Sequence, residues 1–316
     1  MKVDLVCEGG ASKVGGHAGA YAALVNRGFE LSHAAGTSSG AIVSALAVAG
    51  YTPTELQQLL LETDFTQFLD GSKWKVKRLF DLFINLGMHS GDTFYKWIKQ
   101  KLLDKGIRTF ADIVTPVEED QQSPKYRWRL KVIASDITNG RLLTFPDDAF
   151  LFNIEPDKME VAFAVRMSMS LPVYFRPVKL PSVSGADNYI IDGGLLSNMP
   201  VWIFDSDGIP PWPTLAFLLK EDDFGKPNNT DSLTDYLFSM FKTMLDAHDR
   251  RFVRPEDYIN RTIAIPTGNI SGTRFNLSTV EKQQLYHSGY VSANQFLDNW
   301  SWAKYRAWAK KIRGIK

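Results

Sequence analysis

The sequence predicts an α/β fold, a mostly parallel central sheet layered between helices, and three observations carry that reading. Short apolar runs of strand length alternate along the chain with longer amphipathic runs of helical length, as βα repeats do. Those short runs read as buried strands. Two of them pass through glycine-rich turns straight into small-residue helices. At 316 residues, 44% hydrophobic and 22% charged, the chain can bury a large core. It shows no clear domain boundary, repeat or low-complexity tract, so a single domain over residues 1–316 is expected.

Residues 3–7 are the first strand, with an acidic residue inside the run and glycines immediately after it, unlike a signal peptide. Cys7 is the only cysteine, which excludes an intramolecular disulfide framework, and it reads as a core residue. Glu8 to His17 then open a helix over 18–25. Their backbone N–H groups either converge on an anion or form a tight turn. Both nucleotide patterns fail here: Gly-x-Gly-x-x-Gly is absent, and Gly16 occupies the Walker lysine position.

Residues 31–35 form the next strand and 41–49 the next helix. Between them stands Gly36-Thr37-Ser38-Ser39-Gly40, the Gly-x-Ser-x-Gly of a nucleophile elbow. A serine in that strand-to-helix turn presents its hydroxyl at the top of the sheet, and the glycines permit close backbone approach. Residues 31–54 are uncharged but broken by glycines, hydroxyl groups and a Pro-bearing turn, so they read as elbow and helix rather than a membrane span.

Thr52-Pro53-Thr54-Glu55 is a capping box with proline at the first helical position. Residues 63–95 crowd Phe65, Phe68, Trp74, Phe80 and Phe83 with Lys73, Lys75, Lys77 and Arg78. They read either as a cap with an apolar underside and a basic lip or as ordinary core. Residues 117–125 are a polar loop. Residues 130–135 are a strand, and Asn139-Gly140 turns it into a hairpin with 142–145. Residues 189–191 form a short strand ending in Asp192-Gly193-Gly194, a carboxylate that either accepts a proton from Ser38 or caps a solvated turn. Strands at 215–219 and 262–265 flank a second loop at 221–231, and Ser278 to Glu281 form another capping box before a helix over 280–296. The tail carries Trp300, Trp302, Tyr305 and Trp308 beside six cations. It suits either a bilayer interface or a helix docked by its aromatics.

Taken together, these three motifs in this order resemble the patatin-like phospholipases, bacterial members included. The likeness extends through Ala164 to Pro172 and Asp192 to Pro200 and covers roughly residues 1–205. It implies a three-layer α/β/α patatin-like fold and a lipid acyl hydrolase of phospholipase A or lysophospholipase type, acting on a phospholipid or other lipid ester. Carried over residue by residue, it makes Ser38 the nucleophile and Asp192 its base, a dyad without histidine. Gly9, Gly10 and Ala11 become the oxyanion loop, and Lys13 the basic substrate-binding position after it. Ala11 and Val14 stand where the family has glycines, so each is strained if its position needs a positive φ.

Two rivals remain. A Ser-Asp-His triad requires a histidine after Asp192, and only His248 and His287 qualify. A non-catalytic lipid-binding module on the same fold rests on the altered glycine loop. His17 reads as structural and His33 as lining the pocket. No His, Cys or carboxylate spacing fits a metal, and no cofactor is expected. With a formal net charge of +1 there is no global pull toward nucleic acid. The chain is expected in the cytosol, with peripheral membrane contact through the cap or the C-terminal helical tail at 278–316. It carries no signal for an oligomeric state.

Overall fold

A computed structural model describes residues 1–71, 74–116, 126–183, 185–221, 227, 230–252 and 260–314. The expected loop at 117–125 lies outside the described residues, as does most of the one at 221–231. The elements are β1 Lys2–Cys7, α1 Val14–Asn26, β2 Glu30–Thr37, α2 Ser39–Val48, α3 Pro53–Glu62, α4 Lys75–Asn85, β3 Gly87–His89 and α5 Asp92–Leu103. They continue with β4 Leu130–Asp136, β5 Arg141–Phe145, α6 Val161–Ser168, β6 Val173–Phe175, β7 Val178–Pro181, β8 Asp187–Asp192 and β9 Thr214–Lys220. The last are α7 Leu233–Phe252, β10 Thr262–Pro266, α8 Thr279–Asn299 and α9 Trp302–Ile312.

All six strands read from apolar runs are present, as are both capping boxes and the Asn139-Gly140 hairpin. The main sheet runs β10-β9-β1-β2-β4-β8-β7, with β5 against β4. Its first five strands are parallel, while β5, β8 and β7 join antiparallel. Strand alternation divides the core. Leu5, Cys7, Ala34, Val132 and Phe217 face a large cluster that includes α1 and α2. Val6, Ala35 and Ala216 face a smaller one built by Tyr126, Met199, Val201 and Phe204. Cys7 is fully buried, which pushes its thiol up to about 12, as expected of a core residue.

One pairing decides where the chemistry goes. β4 uses a single edge for two partners: β2 pairs with its first half, ending at Thr37 opposite Ile133, and β8 pairs with its second half, ending at Asp192 opposite Ala134. The other edge of β4 is taken by β5. β2 runs parallel to β4 and β8 antiparallel, so the two strands meet head-on at their carboxyl ends. Asp192 stands at the carboxyl end of its strand, as expected, and reaches the elbow from the direction opposite to Ser38.

The tail is docked by its aromatics. Tyr305 and Trp308 are buried with Ala309, and the Tyr305 hydroxyl accepts from the Thr214 amide at 3.1 Å. Lys304, Arg306, Lys310 and Lys311 are exposed. Among the described residues, no helix is long and apolar enough to cross a membrane.

Candidate active site

Ser38 occupies the turn between β2 and α2 at φ 53° and ψ −125°, a region sparsely populated by side-chain-bearing residues and typical of a strained elbow. Two glycines make the turn possible. A Cβ on Gly36 would lie 2.4 Å from the carbonyl carbon of Gly40, and one on Gly40 would lie 2.2 Å from the Cys7 carbonyl oxygen. Neither glycine has a positive φ. The motif's spacing thus reflects steric contact between the elbow's arms and the end of β1.

The last residue of α6 and the segment after it clip the two strand ends together. The Ser168 hydroxyl accepts from the Ser38 amide at 2.8 Å and donates to the Ile133 carbonyl at 2.6 Å. Two residues on, the Ser170 carbonyl accepts the Asp192 amide at 3.0 Å. Arg166, itself buried, holds this segment by donating to the Ser170 hydroxyl at 2.6 Å and to the Ser90 carbonyl at 2.6 Å.

Asp192 is 2% exposed. Its Oδ1 accepts from the Gly194 amide at 2.8 Å, while Oδ2 is buried without a hydrogen-bond partner among the described residues. Burial raises its carboxyl to about 7, against smaller lowering effects from the neighbouring Ser38 hydroxyl and the Gly194 amide. The Ser38 hydroxyl is near enough to act on the carboxylate electrostatically, yet no hydrogen bond of ordinary length joins them. Its Oγ is directed instead to Met169 Sδ, 3.5 Å away. Catalytic contacts of this kind commonly tighten only with substrate bound.

The glycine loop leaves β1 beside the elbow. The Gly9 amide donates to the Asn198 carbonyl at 3.1 Å, and the Gly10 amide donates to Ser39 Oγ at 2.8 Å. The Ala11 amide has no hydrogen-bond partner among the described residues. Of the two departures from glycine, Ala11 stands at φ 47° and is strained, whereas Val14 has ordinary helical angles at φ −48°. Lys13 is buried and paired with Glu221, whose other oxygen accepts from Lys242 at 3.0 Å. Lys13 is therefore engaged within the protein, not open to solvent.

His33 does not line this site, contrary to expectation. It sits toward the other end of β2, with Nδ1 3.2 Å from Asp4 and Nε2 3.0 Å from Thr115 Oγ1. His17 is buried against the Glu8 carbonyl at 2.8 Å, and desolvation lowers it to about 4, so it is neutral and structural. His287 is exposed on α8, and the His248 side chain lies outside the described residues. No group of three metal-ligating side chains occurs among the described residues.

Sequence reasoning missed the supporting residues. Glu8, 5% exposed, accepts from Asn198 Nδ2 at 3.0 Å and from the Leu219 amide, tying the loop to β9. Asn198, Ser39, Ser168 and Arg166 complete the support. Asn198, Ser168 and Arg166 all fall inside the two downstream segments that carried the resemblance, the one signal that marked them.

In the 63–95 segment, Phe65 and Phe68 are core. α4 instead exposes Phe80, Phe83 and Ile84, with Trp74 and Leu86 at its ends. Lys73 lies outside the described residues, as do the side chains of Lys75 and Lys77.

Comparison with known proteins agrees with this architecture. A family model described as patatin-like phospholipase matches residues 5–205. The chain is similar to the uncharacterized protein YqhO of Bacillus subtilis, 35% identical over 306 residues, which is 96% of this chain and all of that protein. It is also similar to the probable lipid hydrolase 463L of Invertebrate iridescent virus 6, 28% identical over 197 residues, 62% of this chain and 61% of the relative. Two solved structures share the fold at low identity. VipD of Legionella pneumophila has a TM-score of 0.55 and 18% identity, covering 94% of this chain and 66% of that one. ExoU of Pseudomonas aeruginosa, in its complex with SpcU, has a TM-score of 0.53 and 16% identity, covering 94% of this chain and 51% of that one.

Proposed function

Because the chain belongs to the patatin-like phospholipase family, we propose that it is a lipid acyl hydrolase of phospholipase A or lysophospholipase type, working through a Ser38–Asp192 dyad and an acyl-enzyme. Family membership and the viral lipid-hydrolase relative support lipid hydrolysis in general. The dyad rests on one observation above all: two strands meeting on one edge of β4 bring an elbow serine to a buried carboxylate of raised pKa.

In the first step Ser38 Oγ attacks the ester carbonyl while Asp192 Oδ2 takes its proton. The oxyanion is stabilised by the glycine loop, with Ala11 N–H open and the Gly10 amide released by Ser39. Collapse breaks the ester C–O bond, and Asp192 returns the proton to the departing alkoxide. Water then enters by the same route and frees the fatty acid. A carboxyl near 7 suits this exchange, because its driving force is balanced at neutral pH. Each oxyanion donor contributes about 2.7 to 4 kcal/mol to barrier lowering.

Substrate arrives at a membrane surface, where the exposed apolar face of α4 makes peripheral contact. A serine-directed fluorophosphonate should label the wild-type protein and not Ser38→Ala, and only the wild type should release fatty acid from mixed phospholipid. A folded wild type that neither labels nor hydrolyses would support the non-catalytic lipid-binding alternative, whose one physical foothold is the internal bonding of the Gly9 and Gly10 amides.

A further inference from the structure

A cavity of about 380 Å³ opens beside the glycine loop, between α7 and the turn after β10. It is within the size range of small-molecule sites. Its wall is joined to the loop: the Ser12 amide donates to the Gly272 carbonyl at 3.1 Å, and Ser12 Oγ reaches the Ser271 carbonyl at 3.5 Å. The reaction at Ser38 uses none of its lining residues.

The lining is organised by charge. Asp235, Ser239 and Lys242 fall on one face of α7, and the seven helical steps from Asp235 to Lys242 span about 10 Å along the axis. Facing them, the Ser271 and Thr273 hydroxyls are 2.9 Å apart. Tyr174 and Phe238 complete the wall, with ring centroids 5.8 Å apart. Among the described residues Lys242 makes one hydrogen bond, to Glu221 at 3.0 Å. An ammonium has three donors. Two therefore remain for an incoming anion.

The ionic group around the cavity is balanced. Glu221 holds both Lys13 and Lys242, and Asp235 adds a second carboxylate. An anionic ligand would meet two carboxylates, and a simple cation would meet Lys242. A ligand with both charges satisfies each end. Aromatic faces next to a carboxylate favour an ammonium, while a lysine with neighbouring hydroxyls favours phosphate oxygens.

We propose that this cavity is a head-group subsite for a zwitterionic glycerophospholipid, with the phosphate on Lys242, Ser271 and Thr273 and the ammonium between Asp235 and the Tyr174 and Phe238 rings. It rests on the lipid-hydrolase reading and names the substrate class. The scissile ester, on the glycerol side of the phosphate, then lies toward the glycine loop and Ser38.

The test has two arms. In the first, kcat/KM is measured for phosphatidylethanolamine and phosphatidylglycerol of identical acyl chains in mixed micelles, and for p-nitrophenyl butyrate, which has no head group. Lys242→Gln and Asp235→Asn should each lower the ratio of the phosphatidylethanolamine value to the butyrate value about tenfold, mainly through KM, and should narrow the gap between the two phospholipids. Proportional losses on all three substrates, or an unchanged ratio, would overturn the subsite. In the second arm, soluble glycerophosphoethanolamine is titrated into full-length Ser38→Ala by NMR, with and without Lys242→Gln. Saturable binding weakened about tenfold by Lys242→Gln supports the subsite even if the wild type turns over no phospholipid, an outcome that would sink only the hydrolase reading. Saturable binding without any head-group preference among lipids would make a free phosphodiester the ligand and overturn the lipid assignment. Absence of binding in the second arm, together with no preference in the first, would remove the site altogether.

Discussion

Replacing Asp192 by asparagine should destroy activity and stabilise the protein, by an amount that depends on pH. The folded carboxyl stands at about 7 against an ordinary value of 3.8. Between those values the native state binds more protons than the unfolded chain, so stability falls as pH rises from about 4 and levels off above about 7. At 1.36 kcal/mol per pK interval, the penalty reaches about 4 kcal/mol at pH 8 and less than half of that at pH 5. The substituted carboxamide carries no charge to desolvate, and its oxygen can keep the Gly194 hydrogen bond. Its nitrogen then occupies the position of the unpartnered Oδ2. An unfolding entropy of about 2.1 cal/mol/K per residue implies a Tm gain of at most about 6 °C at pH 8 and about 2 °C at pH 5. Differential scanning calorimetry of both proteins at the two pH values, with ester turnover measured alongside, decides the matter. A Tm difference that is the same at both pH values, or negative at pH 8, would refute a buried, ionisable Asp192. In the wild type the same carboxyl should make kcat/KM on a soluble ester rise about tenfold from pH 6 to pH 8.

Gly40→Ala should open the elbow, because its Cβ would meet the Cys7 and Glu8 carbonyl oxygens at 2.2 and 2.5 Å. The expected cost is about 3 kcal/mol in urea unfolding, with loss of fluorophosphonate labelling; a variant that labels normally would contradict the close contact. Ala11→Gly should relieve the positive φ and raise stability by up to about 1 kcal/mol. A lowered urea midpoint would mean that the methyl group packs usefully near Gly272. Tyr305→Ala, at a side chain 1% exposed and bonded to Thr214, should cost about 3 kcal/mol while leaving the folded protein's binding to anionic vesicles unchanged. Lost vesicle binding in a fully folded variant would restore the tail as a membrane element.

The strands were legible because buried strands are written as local apolar runs, and the helix starts because capping boxes are local as well. Ser38 and Asp192 stood out for the same reason, each marked by glycines within two residues. What brings them together was not legible. The sharing of one β4 edge by β2 and β8 is a pairing between distant segments, and neither segment encodes its partner. Short β3, β6 and β7, three or four residues each, are too brief to show a period. Ser168, Asn198 and Glu8 act through distant backbone groups and, between Asn198 and Glu8, a side-chain pair 190 residues apart, none of which a local pattern announces. His33 was misplaced because its nearness to Ser38 in sequence ignored the rise of about 3.3 Å per strand residue, which carries it well away from the elbow.

The head-on meeting of β2 and β8 has an evolutionary consequence. The gap between serine and carboxylate is set by a single peptide unit of β4, that joining Ile133 to Ala134. Of the chain between the two residues, residues 168–170 clip the two strand ends, and most of the rest is excursion that leaves the sheet edge and comes back. Loops and helices in those excursions can lengthen, shrink or diversify across descendants while the spacing between the two groups is inherited intact. Selection on reactivity and selection on surface recognition can then act on separate stretches of one gene.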